Sequence, residues 1–215
     1  MASTLVLDYG IAEPGRLLLA LERAGIETQV TSTVYDVRTA DRLILPTGGD
    51  DDATLARGIH AGVLDAVAQH IAAGKPLLAI GLGVQLLLDG QAHPEMPPGL
   101  GVFQVPIAHF DPRMADENER PLKTPHVGFS LVVGLDRHPH FGAVVPACDV
   151  GTWLYFKNRL CAPARVPFAE VAVAHHGVPF AGCIWREQIV AAQFLPELSG
   201  APGLDFLRAW YRSTG

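Results

Sequence analysis

Cysteine, charge and long apolar runs are all scarce in this chain of 215 residues. The three cysteines show no C-x-x-C spacing, which favours a reducing, cytoplasmic setting over a disulfide framework. Charged residues make up only 18%, the net charge is −6 and no run of Lys or Arg stands out, so no nucleic-acid binding is expected. No apolar stretch is long enough to span a bilayer, and Met1–Thr4 lacks a signal-peptide pattern, so no membrane association is expected either.

Hydrophobic residues, by contrast, make up 49% of the chain. This proportion is typical of a compact globular protein. The length suits one domain, residues 1–215, with a sizeable core, and neither an internal repeat nor a linker divides it.

The first half of the chain alternates short apolar runs with helical patterns. Strands are predicted at 5–8, 27–30, 43–45 and 76–80, and helices at 17–24 and 53–73. This rhythm is typical of βαβ units with a parallel sheet. Because ligands bind beyond the carboxyl ends of such strands, we expect the loops at Gly10, Gly48–Gly49 and Gly81–Gly83 to converge on one site.

The second half has shorter, β-like runs. Strands are predicted at 131–133, 153–156, 170–174, 182–185 and 189–194, and an amphipathic helix at 203–212. Turns at 175–178 and 186–188 connect three of these runs into an antiparallel meander. The fold class predicted for the whole chain is therefore α/β, with a mostly parallel central sheet and an antiparallel meander in the C-terminal half.

The stretch 75–88 organises the first half, because it joins a buried strand to a helical pattern through a very short turn. A bend this sharp places its tip residue in strained backbone geometry. The tip residue is Gly81, which tolerates that geometry but has no side chain for nucleophilic chemistry. On the residues alone, a strand, a tight glycine turn and a helix fit many α/β proteins.

The segment 79–85, A-I-G-L-G-V-Q, resembles the nucleophile segment G-I-C-L-G-x-Q of class I glutamine amidotransferases, with glycine in place of the cysteine. Within that family the similarity is greatest to the glutaminase subunit of imidazole glycerol phosphate synthase. Five further motifs carry it: D-Y-G at 8–10, L-P-T-G-G at 45–49, P-H-V-G-F at 125–129, Y-F at 155–156 and Q-F-L-P-E-L-S at 193–199. The resemblance implies a flavodoxin-like α/β fold.

The resemblance also implies a catalytic site that has lost two of its three members. The family uses a Cys nucleophile, a His base and a Glu that orients the His, and these positions are Gly81, Leu195 and Glu197 here. Because only the orienting carboxylate remains, the chain is expected not to hydrolyse glutamine. No cofactor and no metal are expected.

Two further groups of residues follow from the resemblance. Those expected to line a ligand pocket are Thr47, Gly48, Gly49, Gly81, Leu82, Gln85 and Asn158. Those expected to face a partner are Glu13, Phe129, Tyr155 and Leu198. Since Glu13, Phe129 and Leu198 stand where the family usually has Asn, Trp and Lys, we expect weak or absent binding to an ordinary cyclase subunit.

The favoured interpretation is a catalytically inactive relative, a pseudo-glutaminase, that acts as a regulatory or scaffolding partner. The candidate partners are a cyclase-like (βα)8-barrel protein and a second copy of this chain. Two alternatives stay open: an enzyme of different chemistry, and a small-ligand sensor, each using the remodelled pocket around Gly81. Changes at catalytic, substrate-binding and partner-facing positions together favour a natural paralogue over an engineered knock-out.

The other side chains that could carry chemistry are more simply interpreted as structural residues. Cys161 could be a relocated nucleophile, but small apolar cysteines are common in cores. The pairs His138/His140 and His175/His176 have spacing that metals accept, yet no Cys or carboxylate completes a ligand set. His126 is expected to make structural hydrogen bonds.

Overall fold

The computed structural model describes residues 3–8, 10, 14–47, 61–90, 98–142 and 151–215. Its strands are β1 (Thr4–Leu7), β2 (Gln29–Thr31), β3 (Arg42–Leu45), β4 (Leu77–Ile80), β5 (Leu88–Asp89), β6 (Phe103–Pro106), β7 (Ala108–His109), β8 (His126–Val132), β9 (Thr152–Asn158), β10 (Leu160–Cys161), β11 (Glu170–His176), β12 (Val178–Arg186) and β13 (Ile189–Ala192). Its α-helices are α1 (Gly15–Arg23), α2 (Val34–Thr39), α3 (Ala61–Ala72) and α4 (Gly200–Ser213).

A seven-stranded sheet forms the centre, in the order β11-β12-β13-β4-β3-β1-β2. The five strands from β13 to β2 are parallel to their neighbours, whereas β12 and β11 are antiparallel. The predicted α/β class, with a mostly parallel sheet and a C-terminal antiparallel meander, is thereby confirmed.

The central strands are buried on both faces, as expected for continuous apolar runs covered by helices. Because successive side chains point to opposite faces, Leu43 and Leu77 join one hydrophobic cluster with α2 and α3. Ile44 and Leu78 join a second cluster with α1 and α4. The sheet is therefore the middle of three layers.

Several local features differ from the sequence-based expectation. The segment after β4 is a 3₁₀ helix, Gly81–Leu87, and not the start of an α-helix. The short helix α2 was not predicted; the Thr33 side chain caps it by accepting a hydrogen bond from the Asp36 N–H. The helix predicted over 53–73 is described as α3, and its first part lies outside the described residues.

Three small two-stranded sheets flank the main one: β5 with β6, β7 with β10, and β8 with β9. The β8–β9 pair is the longest of them and is antiparallel along its whole length. In the part of the chain that the structure describes, no helix has the length and apolar character needed to cross a membrane.

Candidate functional site

The turn after β4 has the strained geometry predicted for it. Gly81 has a φ of +56°, in the left-handed region that favours glycine. Two residues later, a β-carbon at Gly83 would lie 2.5 Å from the Leu45 carbonyl oxygen, so β3 passes too close for any side chain. The two glycines therefore hold the start of the 3₁₀ helix against the end of β3.

The direction in which a side chain at Gly81 would point is occupied. A β-carbon built there would lie 2.9 Å from Leu195 Cδ2 and 2.9 Å from Thr47 Oγ1. The structure thus brings together three residues that are far apart in the sequence, Gly81, Thr47 and Leu195. The two positions at which the resemblance places a nucleophile and its base, Gly81 and Leu195, therefore lie side by side.

Leu195 is fixed in place by hydrogen bonds to β9. Its N–H donates to the Tyr155 carbonyl oxygen at 2.8 Å. The Ser199 hydroxyl donates to the Leu195 carbonyl oxygen at 2.7 Å and accepts from the Tyr155 N–H at 2.9 Å. Position 195, where the resemblance leads one to expect a base, is therefore held against β9, and its side chain is a buried hydrocarbon.

Glu197 lies two residues further on, in the short 3₁₀ helix Pro196–Leu198. Its Oε2 atom is buried and has no hydrogen-bond partner among the described residues. Burial raises the pKa of this carboxyl group to about 7, although the charge of Arg16 acts in the opposite direction. At neutral pH a substantial fraction of Glu197 is consequently protonated.

The other residues expected in a ligand pocket have mixed placements. The Leu82 N–H donates a long hydrogen bond, 3.4 Å, to Thr47 Oγ1, and Gln85 is buried in the 3₁₀ helix. Asn158 is buried, and its Nδ2 donates to the Gln193 carbonyl oxygen at 2.8 Å. Gly48 and Gly49 lie outside the described residues. A ligand-binding role for these residues stays a prediction.

An exposed apolar surface lies beside the site, on one side of the β8–β9 pair. Alternation along the two strands places six residues on it, and we call it the β8–β9 face: Val127, Phe129, Leu131, Trp153, Tyr155 and, at one edge, the charged Lys157. Phe129 is 55% exposed and Trp153 60% exposed. The rings of Phe129 and Tyr155 are in edge contact, 5.3 Å between centroids.

Sequence reasoning found only part of this face. Val127, Leu131 and Trp153 were not among the residues expected there, although the period-two spacing from Tyr155 back to Trp153 was a usable signal. Of the other residues expected to face a partner, Leu198 is partly buried against the hydrophobic cluster that includes α1 and α4. Glu13 lies outside the described residues.

Cys161 and His126 are buried in structural roles. Cys161 is buried, which raises the pKa of its thiol to about 11. The His126 ring stacks on His176, 4.1 Å between centroids, and its Nε2 lies 3.0 Å from Ser130 Oγ. Burial, with His176 nearby, lowers the pKa of His126 to about 4. Within the described ranges, no group of three or more His, Cys, Asp or Glu side chains could hold a metal ion.

Known structures share this fold. A glutamine amidotransferase superposes with a TM-score of 0.64 at 20% identity, covering 96% of this chain and 98% of its own. The glutaminase domain of Trypanosoma brucei CTPS with bound acivicin gives a TM-score of 0.62 at 10% identity, covering 100% of this chain and 95% of its own. At these identities the likeness supports the fold alone.

Sequence comparison goes further. No family model matches the chain. It is 35% identical to the imidazole glycerol phosphate synthase subunit HisH of Deinococcus radiodurans over 208 residues, 97% of this chain and 92% of the relative. It is 31% identical to the same subunit of Symbiobacterium thermophilum, over 99% of this chain and 94% of the relative. Sequence and fold together make this a glutamine amidotransferase-like protein, and the chain belongs to the family of the imidazole glycerol phosphate synthase subunit HisH.

Proposed function

We propose that this chain is a pseudo-glutaminase that acts by binding a protein partner and does not hydrolyse glutamine. The observation that carries the proposal is the arrangement at the end of β4. A β-carbon built at Gly81 would lie 2.9 Å from Leu195 Cδ2 and 2.9 Å from Thr47 Oγ1, so both side chains must shift before a nucleophile fits there.

Hydrolysis of a glutamine amide by this family's chemistry needs three events at one place. A thiolate attacks the amide carbon, a base takes and returns the proton, and N–H donors stabilise the oxyanion. Gly81 has no thiol, and the hydrocarbon side chain of Leu195 neither accepts nor donates a proton. The loss of either group in an enzyme with a catalytic triad lowers the rate by many orders of magnitude.

The surviving carboxyl group does not compensate. Glu197 would orient a histidine by accepting a hydrogen bond from its ring, and Leu195 offers no such donor. Its Oε2 is left buried without a partner among the described residues, and its pKa is raised to about 7. The fold keeps the carboxylate of the site although the chemistry that required it is absent.

The β8–β9 face supports the binding half of the proposal. Exposed aromatic residues clustered on one surface are typical of protein interfaces. This face is joined to the former catalytic position, because Tyr155 bonds to both Leu195 and Ser199. A partner that covers Phe129 and Trp153 would therefore contact the strand that holds Leu195.

A relative indicates the kind of partner. The imidazole glycerol phosphate synthase hisHF of Emericella nidulans is 29% identical over 98% of this chain, but the match covers only 38% of that protein. In that relative, a region like this chain is thus part of a much longer polypeptide. We take the partner of this chain to be a cyclase-like (βα)8-barrel protein.

Affinity purification from the cells that produce the protein tests whether the chain binds such a barrel protein. The tagged chain is compared with Phe129→Asp, which places a charge on the β8–β9 face, and with Tyr35→Asp as a matched control. Tyr35 is 73% exposed on α2, outside the β8–β9 face. We expect a (βα)8-barrel protein with the unmodified chain and with Tyr35→Asp, and its loss with Phe129→Asp. Equal recovery with both variants, or no barrel protein at all, would contradict the proposal.

Glu197 favours a second candidate, a repurposed small-molecule site. A carboxyl group with a pKa near 7 can act as a general acid or base at neutral pH, and such groups cluster at functional sites. A thermal-shift screen with metabolites distinguishes the two. A compound that stabilises the unmodified chain but not Glu197→Gln would favour this candidate.

A further inference from the structure

The central sheet ends on one side at β2, whose outer edge is open. Of the strands that the structure describes, only β1 pairs with β2, and β2 is the last strand in the order of the sheet. The β8–β9 pair lies toward the other side, where Val133 bridges to Val173 in β11, the first strand of the sheet. The open edge is therefore separate from the β8–β9 face.

Main-chain hydrogen-bonding groups of β2 point outward from this edge. The Asp8 N–H donates to the Thr31 carbonyl oxygen at 2.7 Å, so the main-chain groups of Thr31 face β1. Because the direction of these groups alternates along a strand, the N–H and C=O of Val30 face away from β1. Residues 28–32, T-Q-V-T-S, include no proline and no lysine, the residues that commonly protect an edge strand from pairing. Another extended chain can therefore pair with β2 at Val30.

A pocket of about 500 Å³ lies beside Val30. Val30 is 44% exposed, and its partner in β1, Val6, belongs to the hydrophobic cluster that includes α1 and α4. Because paired residues project to the same face of a sheet, Val30 points to the α1 side, where Leu18 and Ile26 line the same pocket. The wall of the pocket next to the open edge is therefore apolar.

The charged part of the lining is acidic. Glu22, in α1, and Glu27, just before β2, both line the pocket and are both exposed. Neither carboxylate forms a hydrogen bond or an ion pair with a described residue, and no basic side chain is among the described residues of the lining. Charge complementarity and the apolar wall together suit a side chain with an aliphatic stem and a positive end, as in lysine and arginine.

We infer that the β2 edge binds an extended, basic segment of a protein partner, which adds to the sheet as an antiparallel strand. A lysine or arginine of that segment lies opposite Val30, and the two residues exchange both main-chain hydrogen bonds. Its side chain then projects to the same face as Val30, so that the stem enters the pocket and the charge meets Glu22 and Glu27. The inference does not depend on the proposed pseudo-glutaminase role.

Three capped peptides test the inference. They are Ac-T-V-K-V-T-NH2, the same peptide with glutamate in place of lysine, and the same peptide with an N-methyl group on the main-chain nitrogen of the lysine. Each is titrated into ¹⁵N-labelled protein at pH 7 and low salt, and the amide signals are followed. We expect the lysine peptide to shift the Val30 amide signal while that of Trp153, on the β8–β9 face, stays fixed.

The other two peptides separate the two parts of the recognition. The glutamate peptide should bind about tenfold more weakly, because its charge is repelled by Glu22 and Glu27. The N-methyl peptide cannot donate a hydrogen bond to the Val30 carbonyl oxygen, so it should also bind about tenfold more weakly.

Charge-reversed variants identify the pocket. Glu22→Lys combined with Glu27→Lys should reverse the preference, so that the glutamate peptide binds more tightly than the lysine peptide. Glu117→Lys combined with Glu119→Lys is the matched control, since both residues are exposed in the loop before β8 and neither lines the pocket. The inference is overturned if millimolar lysine peptide leaves the Val30 signal unmoved, if the N-methyl peptide binds as tightly as its parent, or if the first double variant prefers the same peptide as the control.

Discussion

Replacing Gly81 with alanine measures how completely the nucleophile position is closed. The new β-carbon would lie 2.9 Å from Leu195 Cδ2 and from Thr47 Oγ1, closer than real β-carbons approach other atoms. Such overpacking costs about 1–3 kcal/mol. The φ of +56° adds about 1–2 kcal/mol for any residue with a β-carbon. We therefore expect Gly81→Ala to lower the free energy of unfolding by about 2–5 kcal/mol.

Gly74→Ala is the matched control. Gly74 also has a positive φ, +70°, but a β-carbon there would have no atom within 4 Å. Gly74→Ala should therefore lower the free energy of unfolding only by the cost of the left-handed backbone conformation, about 1–2 kcal/mol. Adding Leu195→Ala to Gly81→Ala should relieve part of the crowding, so that the two substitutions together destabilise less than the sum of their separate effects.

Urea denaturation of the four variants and the unmodified chain supplies these free energies. Because we propose that residues 1–215 form one domain, a single cooperative transition is expected. If Gly81→Ala is no more destabilising than Gly74→Ala, the space beside Gly81 is open. The argument that Leu195 and Thr47 fill the nucleophile position would then be wrong.

Three further predictions concern the same region. The pKa of Glu197 is about 7 in the folded protein against 4.5 in the unfolded chain, so ionisation of this group should lower the stability of the native protein as the pH rises from 4.5 to 7. By urea denaturation, Glu197→Gln should be more stable than the unmodified chain by up to about 3 kcal/mol at pH 8 and equally stable at pH 4. The Cys161 thiol, with its pKa raised to about 11, should react with iodoacetamide at pH 8 on the order of 100-fold more slowly in the native than in the unfolded protein. Alkylation is measured by mass spectrometry, and a fast reaction of the native protein would contradict the burial of Cys161. Ser199→Ala should lower the free energy of unfolding by about 1–3 kcal/mol, because it leaves the Tyr155 N–H without its acceptor and removes the hydrogen bond to the Leu195 carbonyl oxygen. An unchanged midpoint of urea denaturation would refute this prediction.

The central strands could be predicted from sequence because their signal is local. The run that forms β4 is apolar throughout and lies between Pro76 and Gly81, and β3 carries an apolar run after Arg42 that ends before a proline, as strands buried on both faces require. The short helix α2 was missed because its signal is one capping residue, Thr33, followed by a single acidic residue in the first turn. The 3₁₀ form of the helix after Gly81 depends on tertiary packing that no local pattern reports.

The candidate site, like the fold, could be predicted only in part from the sequence. The proposal that nucleophile and base are absent at Gly81 and Leu195 comes from the sequence, because it needs only an alignment of motifs. The close approach of Thr47 to Gly81 could not be predicted from the sequence, since it depends on β3 and β4 ending side by side.

Ammonia release from glutamine tests the central claim most directly. The unmodified chain is assayed with and without a (βα)8-barrel protein recovered from its own cells, beside Gly81→Cys and the double variant Gly81→Cys with Leu195→His. The account predicts no release above a no-enzyme control from the unmodified chain or from the single variant, which lacks a base, and at most weak release from the double variant. Turnover by the unmodified chain that Glu197→Gln or Cys161→Ser abolishes would show that another set of catalytic groups is in use, and would contradict the pseudo-glutaminase account.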